Sequence, residues 1–344
     1  MKPDIRDTAP EDLKKTLLEW GEKSFRAGQI QEWLWKKKAR SFDEMTNLSK
    51  SLREKLADHF TFHVAKADIV QKSSDGTLKI GFRLHDDHFV EGVLIPSDSR
   101  QTACISSQVG CSLSCTFCAT GYLKRERNLK FYEIFDQVAL INDLAEEHYG
   151  KGLSNIVYMG MGEPLLNYNE VLKSTLYISS EDGMGMSPQR ITLSTAGVTK
   201  MIRKLADDGV RFNLALSLHA ASNEKRSKIM PINDSNSLED LVDALNYFYD
   251  HTGNRITLEY CVINNVNDHL EDAQELVDFA QKVTCKINLI EYNPIDMAEY
   301  ERSSGNRTMR FAKFLEDHKF IVNLRRSRGK DIDAACGQLA NKNQ

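Results

Sequence analysis

A chain of 344 residues with 41% hydrophobic and 27% charged residues can bury a sizeable core, and its net charge of -4 argues against a broad nucleic-acid footprint. Seven cysteines spread thinly over that length do not make a disulfide framework, so metal or redox chemistry is the better use for them. The amino terminus "MKPDIRDTAPEDLKK" has no apolar signal core and no run of about eighteen apolar residues occurs, so a cytosolic chain that meets no membrane is expected.

In chain order, "EDLKKTLLEWG" and "LSKSLREKLADHF" place apolar residues at helical spacing, which predicts a small helical domain over 1–62. From 63 to 99, alternating runs broken by "SSDG" and "HDD" predict antiparallel strands with tight turns, read as a linker. Beyond 100, short apolar strands alternate with longer amphipathic helices: "TACISSQ", "NIVYMGMG", "RITLSTAG", "RFNLALSLHA", "RITLEYCVI", "KINLIEYNP" and "FIVNLRRS". That alternation predicts parallel β/α units over 100–344. Six or seven strands fall short of the eight of a closed barrel, so the α/β fold expected is a partial (β/α)6-type barrel with reactive groups at the carboxyl ends of strands. Three basic segments stand out, "WLWKKKAR" at 33–40, "LKRER" at 123–127 and "RRSRGK" at 325–330; each read singly is a solvated face.

The segment "CSLSCTFC" supplies three thiols, Cys111, Cys115 and Cys118, from one loop after a strand. A structural zinc site uses four ligands, so zinc needs completion by Cys104, Cys336 or a histidine. A cubane iron-sulfur cluster held by three thiolates would instead leave one iron open to bind a substrate. The C-x-x-x-C-x-x-C spacing in a loop of a β/α barrel resembles the radical S-adenosylmethionine (SAM) superfamily, in which SAM chelates that iron through its amino and carboxylate groups. With that resemblance, "YMGMGEP" at 158–164 offers Gly160 and Gly162 for close approach to a ligand and Glu163 as an acceptor for the cofactor ammonium. Ser194, Ser217, Leu218 through its backbone, His219 and Asn293 stand at three further strand ends as candidates for the ribose and methionine portions; read alone, each is a cap or turn residue.

Over nearly its whole length the chain resembles the RlmN/Cfr family of radical SAM adenosine methyltransferases. The motifs are "FRAGQIQEWLW", "CISSQVGCSLSCTFCATG", "MGMGEPLLN", "LSLHAASNEKRSKIMPIN" and "RRSRGKDIDAACGQL", in one order. The resemblance implies one [4Fe-4S] cluster and two SAM molecules per turnover. It also implies methylation of C2 of an adenosine in 23S rRNA at the peptidyl transferase centre, and of adenosine 37 beside the anticodon of tRNAs. In that scheme a methyl group moves from one SAM to Cys336, a 5′-deoxyadenosyl radical from a second SAM abstracts a hydrogen from it, and the carbon radical adds to the adenine. Cys104 then helps remove a proton and closes a disulfide with Cys336, releasing the base. Glu91, in "HFVEGVLIP", matches the position that the family treats as a proton acceptor; read alone it is a surface carboxylate on a strand. Implied partners are an electron donor such as flavodoxin or ferredoxin and a thiol reductant for a monomeric enzyme, with the helical domain and the basic segments as candidates for gripping RNA. Two alternatives stand beside this reading. One is a C8 methyltransferase of the Cfr resistance type, against which Pro164 speaks. The other is a non-catalytic, metal-stabilised RNA-binding module, which would have no need of Cys104 or Cys336. Cys261 and Cys285, in apolar strand patterns outside every motif, are expected to be core.

Overall fold

The computed structural model of the chain describes residues 2–342. Helix α1 (Pro10–Glu19) starts on a proline with Glu11 and Asp12 in its first turn, where acids favour the amino-terminal dipole, and buries Leu13 and Leu17 one turn apart. Helix α2 (Phe25–Gln31) runs into a π-helical turn that buries Trp35, and α3 (Lys50–His59) is capped by the Ser49 hydroxyl accepting from Leu52 N–H. Two buried contacts are central to how this helical unit docks on the rest of the chain. Trp35 stacks on Tyr177 at 3.8 Å between centroids and meets Phe135 edge-on, and Arg6 pairs with Asp136 at 2.7 Å, both buried.

Strands β1 (Lys66–Lys72), β2 (Leu78–Arg83), β3 (Phe89–Pro96) and β4 (Gln101–Cys104) form an antiparallel meander. A short ribbon of β5 (Gln108–Val109) and β6 (Arg127–Asn128) then brackets the cysteine loop. Crossover helices follow, α4 (Phe131–Tyr149), α5 (Tyr168–Ser179), α6 (Thr199–Asp207), α7 (Asn223–Ile229), α8 (Leu238–Thr252), α9 (Leu270–Ala280) and α10 (Gly305–Asp317). They connect β7 (Asn155–Tyr158), β8 (Ile191–Thr195), β9 (Asn213–Ser217), β10 (Ile256–Val262), β11 (Cys285–Glu291) and β12 (Val322–Arg325). Together with β4 these six strands run parallel, so seven parallel strands carry the barrel.

All ten strands outside the ribbon belong to one sheet in the order β1-β2-β3-β4-β7-β8-β9-β10-β11-β12. Residues 63–99 therefore do not form a free linker. Backbone pairing of Val93 with Cys104 makes them an antiparallel wing of the barrel sheet, because β3 satisfies the edge of β4 that a lone β/α barrel strand would leave open. One continuous apolar core runs from Leu13 and Trp35 through Phe135 and Leu193 to Leu315.

Candidate active site

The cysteine loop leaves β4, passes through β5 and returns through β6, so the ribbon fixes both ends of the stretch that carries Cys111, Cys115 and Cys118. The three thiols line one cavity over the carboxyl ends of the parallel strands. Burial raises all three thiols, Cys111 to about 11, and those of Cys111 and Cys115 are raised further by neighbouring cysteines. Three thiols that hinder one another's ionisation need a cationic centre to become thiolates together.

Gly162, Glu163, Ser194, Ser217 and His219 line the same cavity, as do Gly160 and Pro164. Glu163 is buried, with Oε1 accepting from Leu165 N–H at 3.0 Å and Oε2 from Ala196 N–H at 2.7 Å. Burial pushes its carboxyl up and these donors counter that. The hydroxyls of Ser194 and Ser217 pair at 3.2 Å across two strands. His219 adopts a left-handed φ of +56°, and its Nδ1 accepts Cys261 N–H at 3.0 Å. Burial and the Arg226 guanidinium lower its pKa to about 3, so the ring is neutral and carries its proton on Nε2.

Two further residues expected to contact the cofactor tie the frame of the site together. The Leu218 N–H donates to Glu259 O and its carbonyl accepts from Arg226 Nε at 3.1 Å, so its backbone ties strand ends together. Asn293 Nδ2 donates to the Cys336 carbonyl at 3.2 Å. The glycines also have a nearer reason than a ligand. A Cβ on Gly160 would meet Ile105 backbone at 2.7 Å, and one on Gly162, at φ +94°, would meet Gln108 Cβ at 2.5 Å.

Cys336 is exposed, and it borders both this cavity and a second, smaller one that Cys104 also lines. Arg325 reaches both cavities, and Arg326 and Arg328 line the second. Enclosure by the surrounding walls raises the Cys336 thiol, Arg325 pulls it back and Glu259 pushes it further. Burial, with a further push from Cys336, raises the Cys104 thiol to about 12. No disulfide joins them in the structure.

Glu91 lies elsewhere. It is buried on β3 of the wing, 2.8 Å from Lys79 Nζ, and borders neither cavity. Nor is it the surface carboxylate that a strand position alone suggested.

Sequence reasoning also missed three residues. Cys261, expected in the core, is buried but walls the main cavity. Arg226 is fully buried and bridges the ends of β8 and β9 through Ala196 O at 2.6 Å and Leu218 O at 3.1 Å. Glu259 lines the cavity with one oxygen held by Asn288 Nδ2 at 2.8 Å and Oε2 without a hydrogen-bond partner. An acid inside the apolar run "ITLEYCV" was the one available signal for it.

A partial β/α barrel whose first loop turns three thiols into the cavity at its mouth is the architecture of a radical SAM enzyme. Residues 105–280 match the Radical SAM superfamily and residues 4–62 the Ribosomal RNA large subunit methyltransferase N-terminal domain. The chain belongs to the RlmN family of radical SAM RNA methyltransferases. It is 57% identical to the Probable dual-specificity RNA methyltransferase RlmN of Cytophaga hutchinsonii, over 98% of this chain and 93% of that one. To the protein of the same name from Lachnoclostridium phytofermentans it is 45% identical, over 98% and 94%. A solved radical SAM methyltransferase from Sphaerobacter thermophilus superposes with a TM-score of 0.93 at 37% identity, covering 98% of this chain and 99% of that one.

The cofactors of this family are a [4Fe-4S] cluster and SAM, and the residues fit them. Among the described residues no three Cys, His, Asp or Glu side chains converge on a single metal ion. Thiolates that each bind a separate iron corner need only face a common volume, which Cys111, Cys115 and Cys118 do. Among the same residues no helix is long and apolar enough to cross a membrane.

Proposed function

We propose that this RNA methyltransferase acts on C2 of an adenosine in 23S rRNA and on adenosine 37 of tRNAs, with Cys336 as methyl carrier and Cys104 as the releasing thiol. The observation that carries this reading is the position of Cys336, which faces the thiol-lined cavity on one side and the Cys104 cavity on the other. A carrier must reach both the methyl donor and the acceptor base. Cys111, Cys115 and Cys118 would hold the cluster, and Glu163, Ser194, Ser217 and the Nε2–H of His219 would hold SAM; when bound, the pair supplies a one-electron route to a carbon radical that an electron-poor ring carbon requires.

The remaining work falls to this chain's own residues. Loading Cys336 exchanges its thiol proton for a methyl group, and Arg325, which favours the thiolate, eases that exchange. Joining the carrier carbon to the base leaves an adduct that must give up one electron, which the cluster would accept, and the C2 proton, which Cys104 as thiolate would take. Attack of Cys104 sulfur on Cys336 sulfur, with transfer of that proton toward the carbon, then forms the S–S bond and breaks the S–C bond. The carbon keeps the bonding pair and takes up a proton as methyl. Two electrons and two protons from a cellular thiol reductant restore both cysteines. A flavodoxin or ferredoxin supplies the electron for the cluster, and Arg326 and Arg328 stand at the second cavity to meet RNA phosphate. In this reading the enzyme works in the cytoplasm as a monomer.

The test is Cys104→Ala. On a denaturing gel it accumulates RNA covalently attached to the protein, removable by ribonuclease, and mass mapping finds the attachment at Cys336 and at C2 of the adenine. Attachment at C8 would convert the assignment to the Cfr type. No adduct at all, with an intact cluster and methylated Cys336, would remove Cys104 from the reaction.

A further inference from the structure

The segment that carries Cys336 is gripped on both flanks by the antiparallel wing. Upstream, Asp75 Oδ2 accepts Gly329 N–H at 2.9 Å, and Asp331 accepts from Ser73 Oγ at 2.5 Å and Ser74 N–H at 3.0 Å. Downstream, one oxygen of Glu91 accepts both Ala340 N–H at 2.8 Å and Asn341 N–H at 3.1 Å, and Asn341 Nδ2 donates to Phe89 O at 2.9 Å. The other oxygen of Glu91 meets Lys79 Nζ at 2.8 Å. Carboxylate and ammonium are both almost wholly buried, and such a pair is stable only while both charges and their hydrogen bonds are in place.

We propose that Glu91 is a positioning residue that fixes the methyl-carrier segment, with Lys79 as its counter-charge, and that it does not move a proton in the reaction. A general base must reach the proton that it removes, directly or through one water. Both oxygens of Glu91 are turned to Lys79 and to the tail backbone, and Glu91 borders neither cavity. What its oxygens do reach is the backbone just past Cys336, whose carbonyl is held at the same time by Asn293 and whose neighbour Gly337 accepts Ala119 N–H at 2.7 Å from the cysteine loop. Without the wing contact the carrier is held by these inner bonds together with Thr120 Oγ1 donating to Leu339 O at 2.7 Å and Gln338 Nε2 donating to Pro294 O at 3.1 Å. The inference rests on the reading of Cys336 as carrier.

The experiment compares cluster-loaded wild type, Glu91→Ala and the double variant Glu91→Gln with Lys79→Gln. The double variant keeps an acceptor toward the tail, replaces the buried charge pair by an amide pair, and cannot act as a carboxylate base. Peptide mass spectrometry reads the methylation of Cys336, and hydrogen exchange reads the amides of Ala340 and Asn341. Positioning predicts that Glu91→Ala exchanges these amides faster and loads Cys336 about tenfold more slowly at unchanged iron content, as the loss of a charge-assisted bond implies. The double variant should recover protection, loading and RNA methylation. Normal loading in Glu91→Ala, or a double variant that loads Cys336 and then stalls as an RNA adduct, would overturn the proposal in favour of proton transfer. An aggregating Glu91→Ala leaves the decision with the double variant. Unmethylated Cys336 in wild type would refute the carrier reading itself, a separate outcome.

Discussion

Gly162 gives the sharpest test of how the cysteine loop is seated. Its φ of +94° is strained for any residue with a side chain, and a Cβ there would lie 2.5 Å from Gln108 Cβ and 2.9 Å from Gln108 N. The strained backbone costs about 1–2 kcal/mol and the overpacking about 1–3, so Gly162→Ala should lose about 2–5 kcal/mol. Relief requires Gln108 to move, and Gln108 Oε1 holds Glu163 N–H at 2.8 Å while its own N–H donates to Met161 O. The strain therefore passes into both the turn that carries Glu163 and the base of the cysteine loop. Gly185→Ala is the control: its φ is +65° and nothing lies within 4 Å of the added carbon, so only the backbone term of about 1–2 kcal/mol applies. Denaturant midpoints of the anaerobic, iron-loaded proteins should rank wild type, Gly185→Ala, Gly162→Ala, with reduced iron per chain in the last. Midpoints for the two variants equivalent to within about 0.5 kcal/mol would refute the steric account.

Anaerobic reconstitution should yield about four irons and four sulfides per chain, and Cys118→Ala should lose both, whereas zinc without labile sulfide would contradict the cluster assignment. Because the folded pKa of His219 is about 3 and its ordinary value 6.5, its contribution to stability is complete above pH 6.5 and falls as the pH drops toward 3. At pH 5 that loss is about 2 kcal/mol, seen as a larger drop in unfolding midpoint between pH 7.5 and 5 for wild type than for His219→Asn. Trp35→Ala removes the buried ring stacked on Tyr177 and should cost about 3–5 kcal/mol, with new protease cleavage between the helical domain and the barrel.

Much of this architecture was legible along the chain, since parallel strands buried on both faces write continuous apolar runs and the three cysteines announce themselves by spacing. What was hidden depends on contacts between distant segments. The alternation in 63–99 showed strands but could not show that Val93 would pair with Cys104 and join the barrel sheet. "YMGMGEP" showed that glycine was needed, and only the fold shows that residues 105–108 of the chain press against it. Glu91 and Lys79 stand on neighbouring strands at positions that look solvated by composition, yet the tail that covers them arrives from some 250 residues away. Cys261 carries no local mark of its place on the cavity wall, because an apolar strand that faces a cavity reads like one that faces the core.

That distance has a consequence for the order of assembly. During synthesis the wing emerges long before the segment that covers it: the partners Glu91 and Ala340 are 249 positions apart, or about 10–50 seconds at ordinary elongation rates of roughly 5–20 residues per second. Cys111, Cys115, Cys118, Glu163, Ser194 and His219 all leave the ribosome within that interval. Of the five cysteines on the main cavity Cys336 is the last to be made, so the segment proposed to carry the methyl group closes over a cavity whose other thiols, Cys261 among them, have already left the ribosome.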